Sequence, residues 1–256
     1  MFIEERIENL LAFLNEKGRL SVQEAMEYLN VSADTIRRDF NKLALNGLVT
    51  RTYGGIMPLE RTSFDPSILE KMPKHQQEKV AIAKLAAGLV EDEESIIIDA
   101  GTTTEKIIDY IVGFKHLKII TDALNVAVSS SRKSFETIIL GGVIRNETFS
   151  IIGPDAVAMM KNYHADKLFL GVSTLSLESG MMVPNRMEAE VKKELIKIAN
   201  QVILVADHSK LGITGFYAFG SLHEIDILIT DSGADADFIQ KVEEQGVEVL
   251  IAKIAL

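Results

Sequence analysis

The chain has 256 residues, 47% hydrophobic and 25% charged, the balance of a folded globular protein rather than a disordered one. It contains no cysteine, which excludes a disulfide framework, thiol catalysis and cysteine-bound zinc. The net charge of −10 argues against a protein coated in nucleic acid, but the charge is uneven: residues 1–57 hold 7 Lys/Arg against 8 Asp/Glu, and four basic residues (Arg37, Arg38, Lys42, Arg51) face one acid, Asp39, within 37–51.

Apolar positions at Ile3, Ile7, Leu10, Leu11 and Leu14 predict a helix over 2–16, stopped by Lys17-Gly18. Ser21 and Glu24 have the spacing of a capping box and start a short helix through Leu29. Asn30-Val31 makes a tight turn, Ser32 caps a third helix to about Asn46, and Gly47 stops it. Residues 48–57, LVTRTYGGIM, suit a β-hairpin wing. Residues 58–74 contain three of the five prolines and are expected to be a linker.

From residue 75 strands and helices alternate. Helices are expected at 76–90, 103–112, 123–132, 154–162, 185–200 and 235–245. Strands are expected at 95–99, 117–121, 136–140, 166–171, 201–206, 225–230 and 247–251. Runs such as LKIIT, KLFLG and VILVA are apolar throughout, as in parallel strands buried on both faces. The fold class is therefore α/β: a winged helix-turn-helix domain over 1–57, then a Rossmann-like, largely parallel domain over 75–256. No apolar run approaches the ~18 residues that span a membrane, and the charged start is unlike a secretory signal, so a cytoplasmic protein is expected.

In the third helix Ile36, Phe40 and Leu43 share one face and should dock it, leaving Asp34, Arg38 and Asn41 opposite. Arg37 lies on the flank, with Ser32 and Thr35 near the N-terminal end. A recognition helix has this layout: arginine can pair with guanine or grip phosphate, and hydroxyls near a helix start can contact phosphate. Arg51 in the wing can reach backbone or minor groove. The DNA-binding residues expected are thus Ser32, Asp34, Thr35, Arg37, Arg38, Asn41 and Arg51. An ordinary helical domain with a solvated charged face is the competing reading.

The segment VSADTIRRDFNKLALNGLVTRTYGGI resembles the signature of DeoR-type bacterial regulators, matching at Val31, Ser32, Thr35, Ile36, Arg37, Arg38, Asp39, Leu43, Gly47, Arg51, Gly54 and Gly55. Phe40 stands for the usual Leu and Tyr53 for the usual His. Asp39 is expected to be a scaffold residue paired with the neighbouring Arg37 or Arg38.

In the second domain, Asp99-Ala100-Gly101-Thr102-Thr103-Thr104 links a buried strand to a helix. Ligands of open α/β sheets bind at the carboxyl ends of strands, where such a turn suits a phosphate; a plain turn with threonines capping the helix fits as well. Thr121-Asp122, Gly141-Gly142, Gly171 and Asp207–Lys210 end other strands on the same edge. The resemblance continues here. It implies a sensor related to sugar-phosphate isomerases that binds phosphorylated sugars, with Asp99, Gly101, Thr102, Thr103, Thr104, Thr121, Asp122, Gly141, Gly142, Lys192, Asp207 and Lys210 as effector residues. Asp122 replaces the usual Asn, and GMMVP at 180–184 lacks a frequent threonine. Lys192 and Lys210 suit an anion. No cofactor or metal site is expected, since the five histidines show no ligand spacing.

The expected function is a DNA-binding regulator, a repressor of sugar catabolism modulated by a phosphorylated sugar. A helix-turn-helix reads a half-site, so a homodimer or tetramer is expected. The alternative is a sugar-phosphate isomerase-like enzyme with an added N-terminal domain.

Overall fold

The computed structural model describes residues 3–46, 48–58, 65–133 and 135–254; the helix stop expected at Gly47 and linker positions 59–64 lie outside them. The chain forms two compact units, Met1–Phe64 and Asp65–Leu256.

The first unit runs α1 (Ile3–Lys17), β1 (Leu20–Ser21), α2 (Val22–Leu29), α3 (Ala33–Leu45), β2 (Val49–Arg51) and β3 (Gly55–Pro58). The capping box is present: the Glu24 amide donates to Ser21 Oγ at 3.1 Å, and the Ser21 amide donates to Glu24 Oε2 at 3.0 Å. Asn30 takes a left-handed φ of 52° and turns the chain into α3. Leu10, Leu14, Ala25, Ile36, Phe40 and Leu43 close one core. The expected wing is an antiparallel pair, extended by β1 into the order β1-β3-β2. A Cβ on Gly55 would lie 2.1 Å from the Leu20 carbonyl oxygen, so only glycine lets β1 reach the wing.

The second unit opens with α4 (Ile68–Lys71) and α5 (Gln76–Ala87), then β4 (Ser95–Ile98), α6 (Thr104–Tyr110), β5 (Lys118–Thr121), α7 (Leu124–Arg132) and β6 (Glu136–Ile139). It continues through β7 (Val143–Arg145), β8 (Ser150–Ile152), α8 (Pro154–Met160), β9 (Ala165–Gly171), β10 (Thr174–Ser176), β11 (Gly180–Val183) and α9 (Arg186–Lys197). It ends with β12 (Ala199–Val205), β13 (Tyr217–Gly220), β14 (Ile227–Asp231), α10 (Ala236–Glu243) and β15 (Glu248–Ala252). Seven strands form one parallel sheet in the order β15-β14-β12-β9-β4-β5-β6. The chain starts at β4, builds outward to β6, then returns to β9 and builds outward the other way. The strand order therefore reverses between β4 and β9, the place where open α/β sheets bind ligands.

Successive strand residues are buried on opposite faces. Ile96, Ile98, Phe169, Ile203 and Ile229 pack with Ile82, Ala83 and Ala86 of α5, while Ile97, Leu168, Leu170, Leu204 and Leu228 on the other face are also buried. Two features differ from expectation. Residues 65–74, read as linker, belong to the second unit. Ser67 caps α4, Ile68 is buried, its amide donates to the Glu147 carbonyl oxygen at 2.6 Å, and Asp65 takes both Lys71 and Arg145. Pro66 precedes the Ser67 cap and Pro73 follows the end of α4, so these prolines bound a helix. The antiparallel pair β7-β8 and the sheet β10-β11-β13 were not expected.

Candidate functional site

In the first unit, α3 presents Asp34, Arg37, Arg38 and Asn41 to solvent, while Ile36, Phe40 and Leu43 are buried. Ser32 accepts from the Thr35 amide at 3.4 Å, and the two hydroxyls lie 3.0 Å apart. Arg37 reaches Asp34 one turn back, at 3.6 Å. Arg38 makes no ion pair or hydrogen bond among the described residues. Asp39 does not pair with either arginine. It is buried, and Arg6 of α1 grips both of its oxygens, one at 3.0 Å. The reason is angular: Asp39 follows Ile36 by three and shares its inward side. Arg51 does not extend freely. Its Nε donates to Asn41 Oδ1 at 3.0 Å, its terminal nitrogen donates to the Gly55 carbonyl oxygen, and it lies over the Phe40 ring. Burial, with Arg37 nearby, lowers its pKa. Arg51 thus ties the wing to α3 and holds Asn41.

In the second unit the strand-order reversal carries a buried polar cluster. Asp99, at the end of β4, is 0% exposed. Its Oδ2 accepts from the Gly171 amide at 2.8 Å and from Lys192 Nζ; the same ammonium donates to the Gly171 carbonyl oxygen at 3.1 Å. A Cβ on Gly171 would lie 3.3 Å from that carboxylate oxygen, so glycine there lets Asp99 approach the backbone of β9. Asp122, at the end of β5, is 2% exposed and accepts from the Ala100 amide at 3.0 Å. Asp99 and Lys192 are 93 positions apart and join only because β4 lies beside β9, against which α9 packs.

One turn before Lys192 on α9, Glu188 is also buried. It accepts from Thr148, from Ser150 at 2.8 Å and from Arg145 at 3.4 Å. Arg145 in turn donates to Asp65 at 2.6 Å. Burial works against the Arg145 and Lys192 cations, but the carboxylates around them win and raise both pKa values.

Residues 6–62 match the DeoR-like helix-turn-helix domain, and residues 74–232 match the DeoR C-terminal sensor domain. The chain belongs to the DeoR family of transcriptional regulators. It is 35% identical to the HTH-type transcriptional repressor GlcR of Bacillus subtilis over 99% of this chain and 98% of that one. It is 31% identical to a putative aga operon transcriptional repressor of Escherichia coli O157:H7, over 96% and 93%. Among solved structures it is similar to ribose 5-phosphate isomerase A of Methanocaldococcus jannaschii, at 17% identity over 52% of this chain and 53% of that one, TM-score 0.38. No helix among the described residues is long and apolar enough to cross a membrane.

As a DeoR-family sensor, the second unit puts its expected effector residues on one sheet edge but not all in one place. Strands lie about 4.8 Å apart, so the four intervals from Gly141 after β6 to Asp207 after β12 span roughly 19 Å. Asp99, Asp122 and Lys192 form the centre. Thr102 is half-buried. Thr104 and Thr121 are fully buried with hydroxyls engaged internally: Thr104 donates to the Gly101 carbonyl oxygen at 3.0 Å, and Thr121 donates to that of Ile98 at 2.6 Å. They hold the turns rather than offering open donors. Thr103 is buried and makes no side-chain cap. Gly142 is required by packing, since a Cβ would meet the Ile152 carbonyl oxygen at 2.7 Å; Gly141 is open. Asp207 caps its own turn by accepting from Ser209 at 3.0 Å.

Two residues of the edge escaped the sequence reading. Lys79 lies on the core face of α5, three and four positions before Ile82 and Ala83, and is buried. It donates to the Lys71 carbonyl oxygen at 2.6 Å. Burial, with Lys210 and Lys106 nearby and Asp207 opposing, lowers its pKa to about 8. A lysine at a core position of an amphipathic helix was the available signal. Asn125, in the first turn of α7, has a buried amide with neither nitrogen nor oxygen partnered.

Proposed function

We propose that the protein represses a carbohydrate-catabolic operon and that a phosphorylated sugar, bound at the carboxyl edge of the parallel sheet, modulates it. The observation that carries this reading is the buried Asp99–Lys192 pair at the strand-order reversal, with Asp122 beside it. Carboxyl groups there suit sugar hydroxyls. Lys79, with Lys106 and Lys210 close enough to act on it around Asp207, supplies together with them the positive field a phosphate needs. The relatives named as repressors, one of them of an aga operon, support the sign.

Binding at this edge acts on the segment that leads into the unit. Lys79 holds the Lys71 carbonyl, and Arg145 holds Asp65 while also serving Glu188, one turn from Lys192. A ligand that draws on Lys192 or Lys79 therefore biases both grips on 65–71, and through them the preceding domain. The DNA face is α3, with Ser32, Asp34, Thr35, Arg37, Arg38 and Asn41, oriented by Arg51. The protein works as a homo-oligomer, since each helix-turn-helix reads one half-site.

A thermal-shift panel of phosphosugars tests the effector. A true effector at about 100 times its Kd adds about 2.7 kcal/mol to unfolding, and Lys210→Ala should diminish the shift. No shift with any phosphosugar rejects the sensor reading. Turnover of one of them by the full chain would favour the isomerase-like alternative.

A further inference from the structure

The centre of the edge places two carboxyl groups, Asp99 and Asp122, around one cation. Asp99 Oδ2 has Lys192 and the Gly171 amide, whereas its Oδ1 is buried with no hydrogen-bond partner. Asp122 accepts from the Ala100 amide, the peptide unit directly after Asp99, and its own carbonyl accepts from the Ile151 amide of β8 at 2.6 Å. The charged groups facing Asp122 are Asp99 from β4 and Lys192 from α9, with Glu188 beyond Lys192. Glu188 is served by Arg145, Thr148 and Ser150, and Arg145 is shared with Asp65 and Glu147. One ammonium thus stands against two carboxyls that are both cut off from water, and a second buried negative charge without a partner is strongly disfavoured.

We infer that Asp122 stands in this site as a neutral carboxylic acid, offering an acceptor to the Ala100 amide and an O–H donor, the pair of groups an asparagine would offer. The proton answers two features at once. It removes the uncompensated charge, and it supplies a donor beside the Asp99 carboxylate, whose Oδ1 lacks one. Burial, and then the Asp99 charge, push the Asp122 pKa well above the ordinary carboxylate range. The consequence for ligand choice rests on the phosphosugar reading: the carboxyl that replaces the family's usual amide does not repel an anionic effector at neutral pH, because it carries no charge. The acid state itself does not depend on that reading.

The sign follows from linkage. An aspartate whose folded pKa is raised binds more protons folded than unfolded, so it costs increasing stability as pH rises from about 4 toward the folded value. Full-length protein and Asp122→Asn are unfolded in urea from pH 5 to 8. The variant's stability relative to the parent should climb with pH, by up to tenfold in the folding constant per unit; parallel curves overturn the inference. Infrared spectra of the parent at pH 7 give a reading that needs no variant: a protonated carboxyl band is expected, and its absence overturns the inference even where Asp122→Asn does not fold. Loss of the band in Asp122→Asn supports the assignment. A band that survives in Asp122→Asn and is lost in Asp99→Asn puts the proton on Asp99 and overturns it. No ligand enters these measurements, so a failed phosphosugar panel leaves their outcome unaffected.

Discussion

Removing the Arg6 guanidinium leaves Asp39 buried beneath α3 without the cation that grips it. Breaking a buried pair from one side costs roughly 3–5 kcal/mol, so Arg6→Ala should destabilise the first unit by about that much, read as a lower urea midpoint. Arg6→Ala with Asp39→Ala should recover part of the loss, since no stranded charge remains. Glu24 gives a pH signature in the same unit. Burial opposes its charge, but the Ser21 amide, Lys17 and the Ser21 hydroxyl outweigh it and hold the carboxyl down at about 2. A depressed carboxylate stabilises the fold above its unfolded value. That contribution should fade as pH drops from about 4.5 to about 2, and Glu24→Gln should flatten this part of the acid unfolding curve. The capping box was readable because both members lie three positions apart. The Arg6–Asp39 pair was not: helical periodicity says that Asp39 faces inward, but not which helix meets it there.

At the level of elements, the type and place of the strands in the parallel sheet followed from their apolar runs, the bounds shifting by one or two residues, because burial on both faces leaves a continuous signature in the inner strands. The strands β7, β8, β10, β11 and β13 have three or four residues each. Some, such as Val143 and Ile144, are exposed, so neither length nor alternation marks them. Segment 65–71 was misread for a related reason: its stabilising partners, Arg145 and Glu147, come from a hairpin about 80 positions later. If this segment relays the effector signal, Arg145→Ala should keep DNA affinity and the phosphosugar thermal shift while losing release from DNA by the phosphosugar. Retention of full release in that variant, measured by fluorescence anisotropy, would remove the relay. Likewise Asp99 and Lys192 were each singled out from sequence as effector residues, but their bond to one another is a product of strand order and could not be read before the topology was known.

For the whole molecule, the body that bears most of the −10 charge disfavours DNA, and the proposed DNA contact is concentrated on the arginine-bearing face of α3. Each arginine that neutralises a phosphate contributes about 0.9 to the slope of log affinity against log salt. Arg38→Ala should therefore lower affinity and, if its contact is to phosphate, reduce that slope by about one. Selection from a random duplex library, with parent and Arg37→Ala/Arg38→Ala in parallel, tests whether α3 reads operator DNA. The parent should enrich one sequence of two related half-sites, and the double variant should enrich none while still folding. Enrichment of the same sequence by the double variant, or of no sequence by the parent, would contradict that role of α3.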